Sequence, residues 1–412
     1  MRKKSEGNLF VGLDIGTTKV VALVGEIGLG GHIDVVGIGS HPSRGLKRGI
    51  VVNIDATIQS IKYAIEEAER MAGCEIHSVY TGIAGGHIRS LNSHGVVAIR
   101  DREVTQADID RVIDAAKAVA IPADQKILHI LPQEFIIDGQ EGVREPIGMS
   151  GVRLEAKVHI VTGSVSAVQN IVKCIERCGL HVSDIILQQL ASSSAVLTDD
   201  EKELGVCLVD IGGGTTDIAI FTDGAIRHSA VIPIAGDQVT NDIAVALRTS
   251  TKNAEEIKIK YACALDSLII DDVNIAVPSS TSQRPAREIS CKILVNVVGT
   301  RYEELFTLVL AELRRSRFAD LIGASIVFTG GASKVEGIVD LAEQVFQLPA
   351  RVGMSQNVGE MVEVINNPIY ATGIGLLLTG YQHYQQGRHE AATFGEGRGL
   401  WSKMKRWFQV NF

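Results

Sequence analysis

The chain has 412 residues, too many for a single hydrophobic core, so two or more domains are expected. Apolar content of 45% and charged content of 21% are those of an ordinary globular protein, and a net charge of -8 excludes a surface built throughout for nucleic acid. Six cysteines lack C-x-x-C or zinc spacing; even Cys174 and Cys178, which share a helix face, have no completing pair, so all six read as reduced thiols of a cytosolic protein.

The N-terminal "MRKKSEGNLFVGLDIG" is basic, but its apolar run is short and broken by glycine, so neither a signal peptide nor a spanning helix is expected there. No window reaches the roughly 18 apolar residues of a transmembrane helix. "LFVGLDIGTTKVVALVGEI", residues 9 to 27, reads as two apolar strands about a Gly/Thr turn. "VTQADIDRVIDAAKAVA" reads as a helix opened by Thr105, with Asp108 completing a capping box. The strand-like runs "QKILHILPQEFIID" and "EAKVHIVTG" follow. "IILQQLASSSAVL", 185 to 197, is a helical connector, and "VCLVDIGGGTTDIAIFTDG", 206 to 224, is a second hairpin.

"NAEEIKIKYACAL" is a helix with Glu255 and Lys258 on one face, a spacing that equally suits a solvated ion pair. "VPSSTSQRPAREIS" reads as a loop. "SIVFTGGASKVEGIVDLAEQVF", 325 to 346, runs from a strand through Gly330, Gly331, Ala332 and Ser333 into a helix. Val335, Ile338, Val339, Ala342, Val345 and Phe346 form its apolar face. A glycine turn at a helix N-terminus suits an anion. "NPIYATGIGLLL", 367 to 378, is a second connector; Ala191, Ala195, Gly373 and Gly375 would let the two connectors approach closely. Residues 380 to 399 are polar and glycine-rich, and read as a flexible linker.

The two hairpins carry the chemistry. One such turn is ordinary β structure. Two, each with an aspartate at the end of its first strand, call for a shared cause. Successive backbone N–H groups in a tight turn form a nest for anions. Glycine lets that backbone approach a phosphate, and threonine hydroxyls add donors. Asp14 with Gly16, Thr17, Thr18 and Lys19 is one such cradle; Asp210 with Gly212, Gly213, Gly214, Thr215, Thr216 and Asp217 is the other. A carboxylate beside a phosphate repels it unless a cation lies between, so Asp14 and Asp210 make a place for hydrated Mg²⁺.

The C-terminal "GLWSKMKRWFQVNF", 399 to 412, is amphipathic at about 100° per residue. Leu400, Trp401, Met404, Trp407, Phe408 and Phe412 gather on one side, and Lys403, Lys405 and Arg406 lie opposite with Ser402 and Gln409. Asn411 intrudes on the apolar arc and Val410 lies off it. A helix docked on the protein's own core is the plain alternative. The linker and the basic face favour a helix lying in the interface of an anionic membrane.

Two Asp-Gly-Thr hairpins, a later Gly-Gly loop and helical connectors resemble the actin, sugar-kinase and heat-shock-chaperone ATPase superfamily. The resemblance implies an α/β, actin-like fold: two RNase H-like domains around a cleft holding ATP and Mg²⁺. In it the two hairpins hold the phosphates, Gly330 to Ser333 lie by the adenosine, and Glu255 and Lys258 flank the ribose and base. Within the superfamily, "GDQVTNDIAVAL", "AEEIKIKYACAL", "RYEELF" and the tail are similar to the bacterial cell-division family FtsA, essentially end to end.

That family implies a layout. Residues 1–83, 163–195 and 368–380 form the first core subdomain, with 84–162 inserted for self-contact and recruitment. Residues 196–228 and 299–367 form the second, with 229–298 inserted as the part that meets the FtsZ C-terminal peptide. A linker over 381–398 leads to a membrane helix over 399–412. It further implies a protein that polymerises on the cytoplasmic face of the inner membrane at the septum, anchors FtsZ and recruits later division proteins. ATP turnover there is slow or absent, and no catalytic residue is assigned. Asp184, Gln188 and Gln189 lie where actin relatives position the attacking water, but a connector helix needs polar surface residues anyway, and that reading is preferred. The alternatives are a sugar-kinase-type phosphotransferase, which lacks a recognisable catalytic aspartate, and an adaptor of pilus or secretion machinery.

Overall fold

The structure is a computed structural model that describes residues 9–28, 31–269, 273–278, 286–356, 358–359 and 361–393. It begins with an antiparallel meander of β1 (Leu9–Ile15), β2 (Lys19–Ile27) and β3 (Ile33–Pro42). Strands β1 and β2 are buried almost throughout, which explains their unbroken apolar runs: both faces of the sheet are covered. A short ladder, β4 (Leu46–Lys47) with β5 (Ile50–Val51), leads to α1 (Ile54–Ala72). Asn53 caps α1 by accepting from the Ala56 N–H, and Gly73 ends it with φ 65°. Helix α1 lays Ile58, Ile61, Ala64, Ile65 and Ala68 on the sheet. Strand β6 (Ser78–Ile83) then runs parallel to β1.

Here the chain leaves to build a separate layer: β7 (Arg89–Ala98), α2 (Gln106–Lys117), β8 (Gln125–Ile137), β9 (Gln140–Val143) and β10 (Arg153–Ser164). The sheet order is β7-β10-β8-β9, with α2 packed on β7 and β10. It has its own core, including Val112, Ile113, Phe135, Leu154 and Val158. At the start of α2 the Asp108 carboxylate accepts from the Thr105 N–H at 2.9 Å and its hydroxyl at 2.6 Å, as the capping-box spacing predicts. Helix α3 (Val165–Glu176) and β11 (His181–Leu187) return the chain to the first sheet, where β11 lies parallel to β6.

Helix α4 (Gln188–Val196) crosses to the second half, so residues 185 to 187 of the expected connector are strand. After α5 (Asp199–Leu204) the pattern repeats. Strands β12 (Val206–Ile211), β13 (Thr216–Thr222) and β14 (Ala225–Ile232) form an antiparallel meander. An excursion follows through α6 (Gly236–Leu247), α7 (Thr251–Tyr261), β15 (Asn274–Val277), β16 (Arg287–Ser290) and α8 (Cys291–Ser316). Strands β15 and β16 pair, so the ends of the stretch read as a loop are strand; 279–285 lie outside the described residues. Strand β17 (Ser325–Thr329), α9 (Ile338–Phe346) and β18 (Ala350–Val352) complete this half, with β17 parallel to β12 and β18 parallel to β17.

The chain then crosses back. Strand β19 (Val358–Gly359) pairs with β3, and α10 (Val362–Ile365) leads to α11 (Ala371–Thr393), which lies beside α4. The first sheet reads β11-β6-β1-β2-β3-β19 and the second β14-β13-β12-β17-β18. Each contains a three-stranded meander continued by two parallel strands, to which the first sheet adds β19, so the repeat seen in two turns extends through both halves. The connectors meet as their small residues predict: a Cβ on Gly375 would overlap the Ala191 carbonyl. Gly373 instead faces Leu23 of β2.

Two expectations change. Positions 229 and 298 fall inside β14 and α8, because the second excursion shares one continuous core with its sheet, Val239, Ile243, Val277 and Leu294 packing with Ile218, Ile220 and Phe328. Residues 381 to 393, read as linker, extend α11, whose Tyr381 and Tyr384 rings meet Phe10 edge-on at 5.9 and 5.5 Å. Residues 394–412, with the rest of the linker and the amphipathic tail, lie outside the described residues.

Candidate functional site

The two hairpin turns have one construction. The Gly16 N–H donates to the Lys19 carbonyl at 2.9 Å, and the Gly212 N–H to the Thr215 carbonyl at 3.0 Å. They face each other at close range. A Cβ on Gly213 would overlap the Thr18 side chain, and one on Gly214 would come within 2.6 Å of Thr17 Oγ1. The backbone is therefore bare here for a reason the sequence did not disclose: the turns touch one another.

A cavity of about 370 Å³ opens beside them, a size usual for small-molecule sites. Asp14, Gly16, Thr17, Thr18 and Lys19 line it from the first hairpin, and Asp210, Gly212, Gly213, Gly214, Thr215 and Asp217 from the second. Glu255 and Lys258 of α7 and the loop residues Gly330, Gly331 and Ala332 line the rest. Thr216 and Ser333 do not. The Thr216 hydroxyl donates to the Ile234 carbonyl at 2.7 Å and Ser333 to the Gly330 carbonyl at 2.7 Å, so both are structural. The helix expected directly behind Gly331 begins only at Ile338; a 3-10 turn, Gly331–Lys334, stands at the cavity instead.

Glu255 and Lys258 form the intrahelical ion pair, at 2.7 Å, and line the cavity as well. Lys258 Nζ also donates to Thr240 Oγ1 at 2.8 Å and to the Gly236 carbonyl at 3.1 Å, which fixes α7 against the start of α6. Gln188, set aside in the sequence as a surface polar residue, faces the cavity and donates to Asp14 Oδ1 at 3.0 Å. Its position as the first residue of α4, straight after β11, was the available signal. Gln189 is fully buried, and Asp184 sits in β11, accepting from the Ile185 N–H. Asp237, Lys334, Gly49 and Thr372 also line the cavity and were not singled out in the sequence, although Asp237, Lys334 and Thr372 lie within stretches that were read there.

The site is electrostatically loaded. Burial pushes the Asp14 carboxyl up to about 6, the Lys19 ammonium opposing this and Asp210 adding to it. Asp217 is pushed up to about 8, by burial first and then by Asp210, against the Thr215 hydroxyl bond. Asp210 is also raised by burial, although Ser192 and Thr372 donate to its Oδ2 at 2.5 and 3.3 Å. Burial lowers Lys19 to about 8 despite Asp14 and Asp210 nearby, and its Nζ donates to the Ile369 carbonyl at 2.8 Å. Asp217 Oδ1 is buried without a hydrogen-bond partner. Three buried carboxylates, one with an orphaned oxygen, face one lysine, Lys19, while Lys258 is paired with Glu255 and Lys334 is exposed, a balance that favours a cation. Among the described residues no group of three or more His, Cys, Asp or Glu is placed to ligate an ion directly. The donor set therefore suits a hydrated, oxygen-loving ion rather than one caged by protein.

Comparison with known proteins supplies the family. Residues 207–375 match the model for cell division protein FtsA, and 85–162 match the SHS2 domain inserted in FtsA. A cell division protein FtsA of Pseudomonas aeruginosa is 63% identical, covering all of both chains. One from Neisseria meningitidis serogroup B is 52% identical over 97% of this chain and 98% of its own. One from Escherichia coli K12 is 43% identical over the whole of both chains. This chain belongs to the FtsA family. It is an actin-like protein of cell division.

Solved structures agree on the fold. A PilM-PilN type IV pilus biogenesis complex matches with TM-score 0.66 at 16% identity, over 90% of this chain and 98% of that one. MreB5 of Spiroplasma citri bound to ADP matches with TM-score 0.56 at 17% identity, over 95% and 100%. The SHS2 match coincides with the layer from β7 to β10, which the first half carries and the second does not. No described helix is long and apolar enough to cross a membrane.

Proposed function

We propose that the cavity binds ATP with Mg²⁺, and that the protein polymerises on the cytoplasmic face of the inner membrane at the septum, tethers FtsZ through its C-terminal peptide and recruits later division proteins. The nucleotide reading is supported by one observation: two equivalent turns present Asp14, Lys19 and Asp210 to a single cavity. The turn N–H groups and Thr17, Thr18 and Thr215 would receive the phosphates. Lys19 would place its ammonium on them. Asp14 and Asp210, with Asp217 behind, would hold Mg²⁺ through its water shell. The bound ion would supply the positive charge that lets buried carboxylates and phosphates coexist. Gln188 would fix the Asp14 carboxylate by the hydrogen bond it already makes. Glu255, Lys258 and the loop residues Gly330, Gly331 and Ala332 would border ribose and base. With contacts from both halves, ATP would clamp the cleft.

The membrane part rests on the tail sequence. Leu400, Trp401, Met404, Trp407, Phe408 and Phe412 would enter the interface, while Lys403, Lys405 and Arg406 meet anionic headgroups at about 1 kcal/mol each. Many copies assembled side by side would strengthen this reversible attachment. The test is sedimentation of purified FtsZ with anionic liposomes, using the full protein and a chain ending at Gly399, with and without Mg-ATP. FtsZ should pellet only with the full protein. If the protein pellets and FtsZ stays in solution, the tether is wrong; if neither pellets, the membrane reading is wrong too.

A further inference from the structure

The first insertion is encoded in the first half, between β6 and α3, yet side chains from it line up along β14, the edge strand of the second half's sheet. Gln133 donates to the Ile226 carbonyl at 2.8 Å, Asn92 to the Arg227 carbonyl at 3.1 Å and Ser90 to the Ser229 carbonyl at 2.8 Å. Buried His159 joins its ring to Ser229 Oγ at 2.9 Å and to Asn92 Oδ1 at 2.6 Å. Outside this seam, Arg144 donates to both Glu203 oxygens at 2.5 Å and to the Asp223 carbonyl at 3.1 Å. An edge strand normally leaves its carbonyls to solvent; here three are taken by the insertion.

The ties to the first half differ in kind. They are the two chain crossings near Ile83 and Ser164, the Val165 N–H bond to the Asp124 carbonyl at 2.9 Å beside one crossing, the Leu187 N–H bond to His129 Nε2 at 3.0 Å, and apolar packing of Ile88, Leu131 and Val161 with Ile83, Ile186 and Leu187, which is non-directional and can slide. The crossing after Ile83 passes Ala84 and Gly85, which lie against the Arg48–Gly49 turn. A crossing can swivel, whereas a seam anchored by the buried Gln133 and His159 resists separation, because breaking their bonds strands buried polar groups.

We propose that the inserted subdomain moves with the second half, so that its orientation relative to the half that encodes it reports whether the cleft is open. This deepens the nucleotide reading and rests on it for the natural trigger. Geometrically, a hinge between the halves is converted into a swing of the insertion. Gln133, Asn92, His159 and Arg144 are positioning residues in this scheme.

The experiment measures three distances by paired spin labels in the full chain. Labels sit on a keto-bearing residue placed at exposed Glu75 in the first half, Asp101 in the insertion and Asp320 in the second half, so that the six native cysteines are left alone. The cleft is varied in two ways: by Mg-ATP against nucleotide-free protein, and by the wedge variants Gly213→Val and Gly214→Val, which force the turns apart without nucleotide. In every state that changes the 75–320 distance, 101–320 should stay fixed and 75–101 should change. Combining Gln133→Ala with Arg144→Ala should reverse this, leaving 75–101 fixed. The proposal is overturned if 75–101 stays fixed in the wild-type seam, or if neither wedge changes the 75–320 distance in a folded protein. A response to the wedges but none to ATP would sink the nucleotide trigger and keep the coupling.

Discussion

The two halves share a strand order and a turn, but they bring different chemistry to the cavity. The first turn is Gly-Thr-Thr-Lys and contributes a buried ammonium, Lys19, beside Asp14. The second is Gly-Gly-Gly-Thr, with no cation; across its strands Asp210 pairs with Asp217. Thr17 and Thr18 of the first turn occupy the space that Gly213 and Gly214 of the second leave free. A duplicated scaffold thus becomes a site through complementary differences. One turn carries bulk and an ammonium, the other bareness and a second aspartate, and neither would suffice if copied.

The strongest way to break that complementarity is Gly213→Val. Overlap with Thr18 should hold the turns apart and lower ATP affinity by about a hundredfold or more, as read by titration calorimetry. The informative arm is Gly213→Ala with and without Thr18→Ala. Recovery of affinity in the double variant means the glycine serves turn-to-turn contact. No recovery means that phosphate approach alone requires it.

Lys19→Gln removes the asymmetry of charge. Loss of a charge-assisted contact to phosphate should weaken ATP by about 1.5–3 kcal/mol, roughly ten- to a hundredfold, with a smaller loss for ADP. The pH dependence sharpens the same comparison. Asp14 and Asp217 rise from 3.8 to about 6 and about 8, so each gives the ligand-free protein stability that is complete below 3.8 and lost as pH climbs through the folded value. Lys19 falls from 10.5 to about 8, so its contribution is complete above 10.5 and lost as pH drops through 8. Mg-ATP needs the carboxylates ionised and the ammonium charged. Its affinity should therefore rise from pH 6, peak near 8 and decline above. Asp217→Asn should flatten the rise between 6 and 8. A profile that falls steadily from pH 6 would contradict the assigned roles.

Gly375→Ala tests the connectors that join the halves. A methyl against the Ala191 carbonyl should cost about 1–3 kcal/mol in denaturant unfolding, with the loss shared by both halves. The smallest effect concerns the layer that only the first half carries. Thr105→Ala should cost about 1 kcal/mol, seen as faster amide exchange in α2, with the turns unaffected.

Much of this was legible because it is local. Asp14 and Asp210 stand at strand ends before glycine turns, and such strand–turn–strand patterns announce themselves; so does the Thr105–Asp108 box. What stayed hidden depends on distant partners. Nothing beside Gly213 says that Thr18 will lie against it, almost two hundred residues earlier in the chain. Gln188 looks like any polar helix residue until β11 aims it at Asp14. Thr216 matches the motif, yet strand alternation turns it toward the Ile234 carbonyl. The second insertion could not be bounded by composition, since its apolar residues belong to the same core as the sheet. The polar stretch after 380 gave no clear helical period, and its helix to Thr393 continues a buried, strongly apolar segment from Ala371.

That last helix has a mechanical side. Its 23 residues span about 35 Å. Toward its far half Tyr381 and Tyr384 are braced on Phe10; nearer its start Gly375 is locked on Ala191 of α4, and Thr372 in its first turn bonds Asp210. Asp210 is also held by Ser192 of α4, so two crossing struts share one carboxylate. A pull applied beyond Thr393 would load the aromatic brace first, and whatever the brace did not absorb would arrive at Asp210 through a rigid contact with no slack. Tension on the chain's C-terminal end and occupancy of the cavity would then be read by the same side chain.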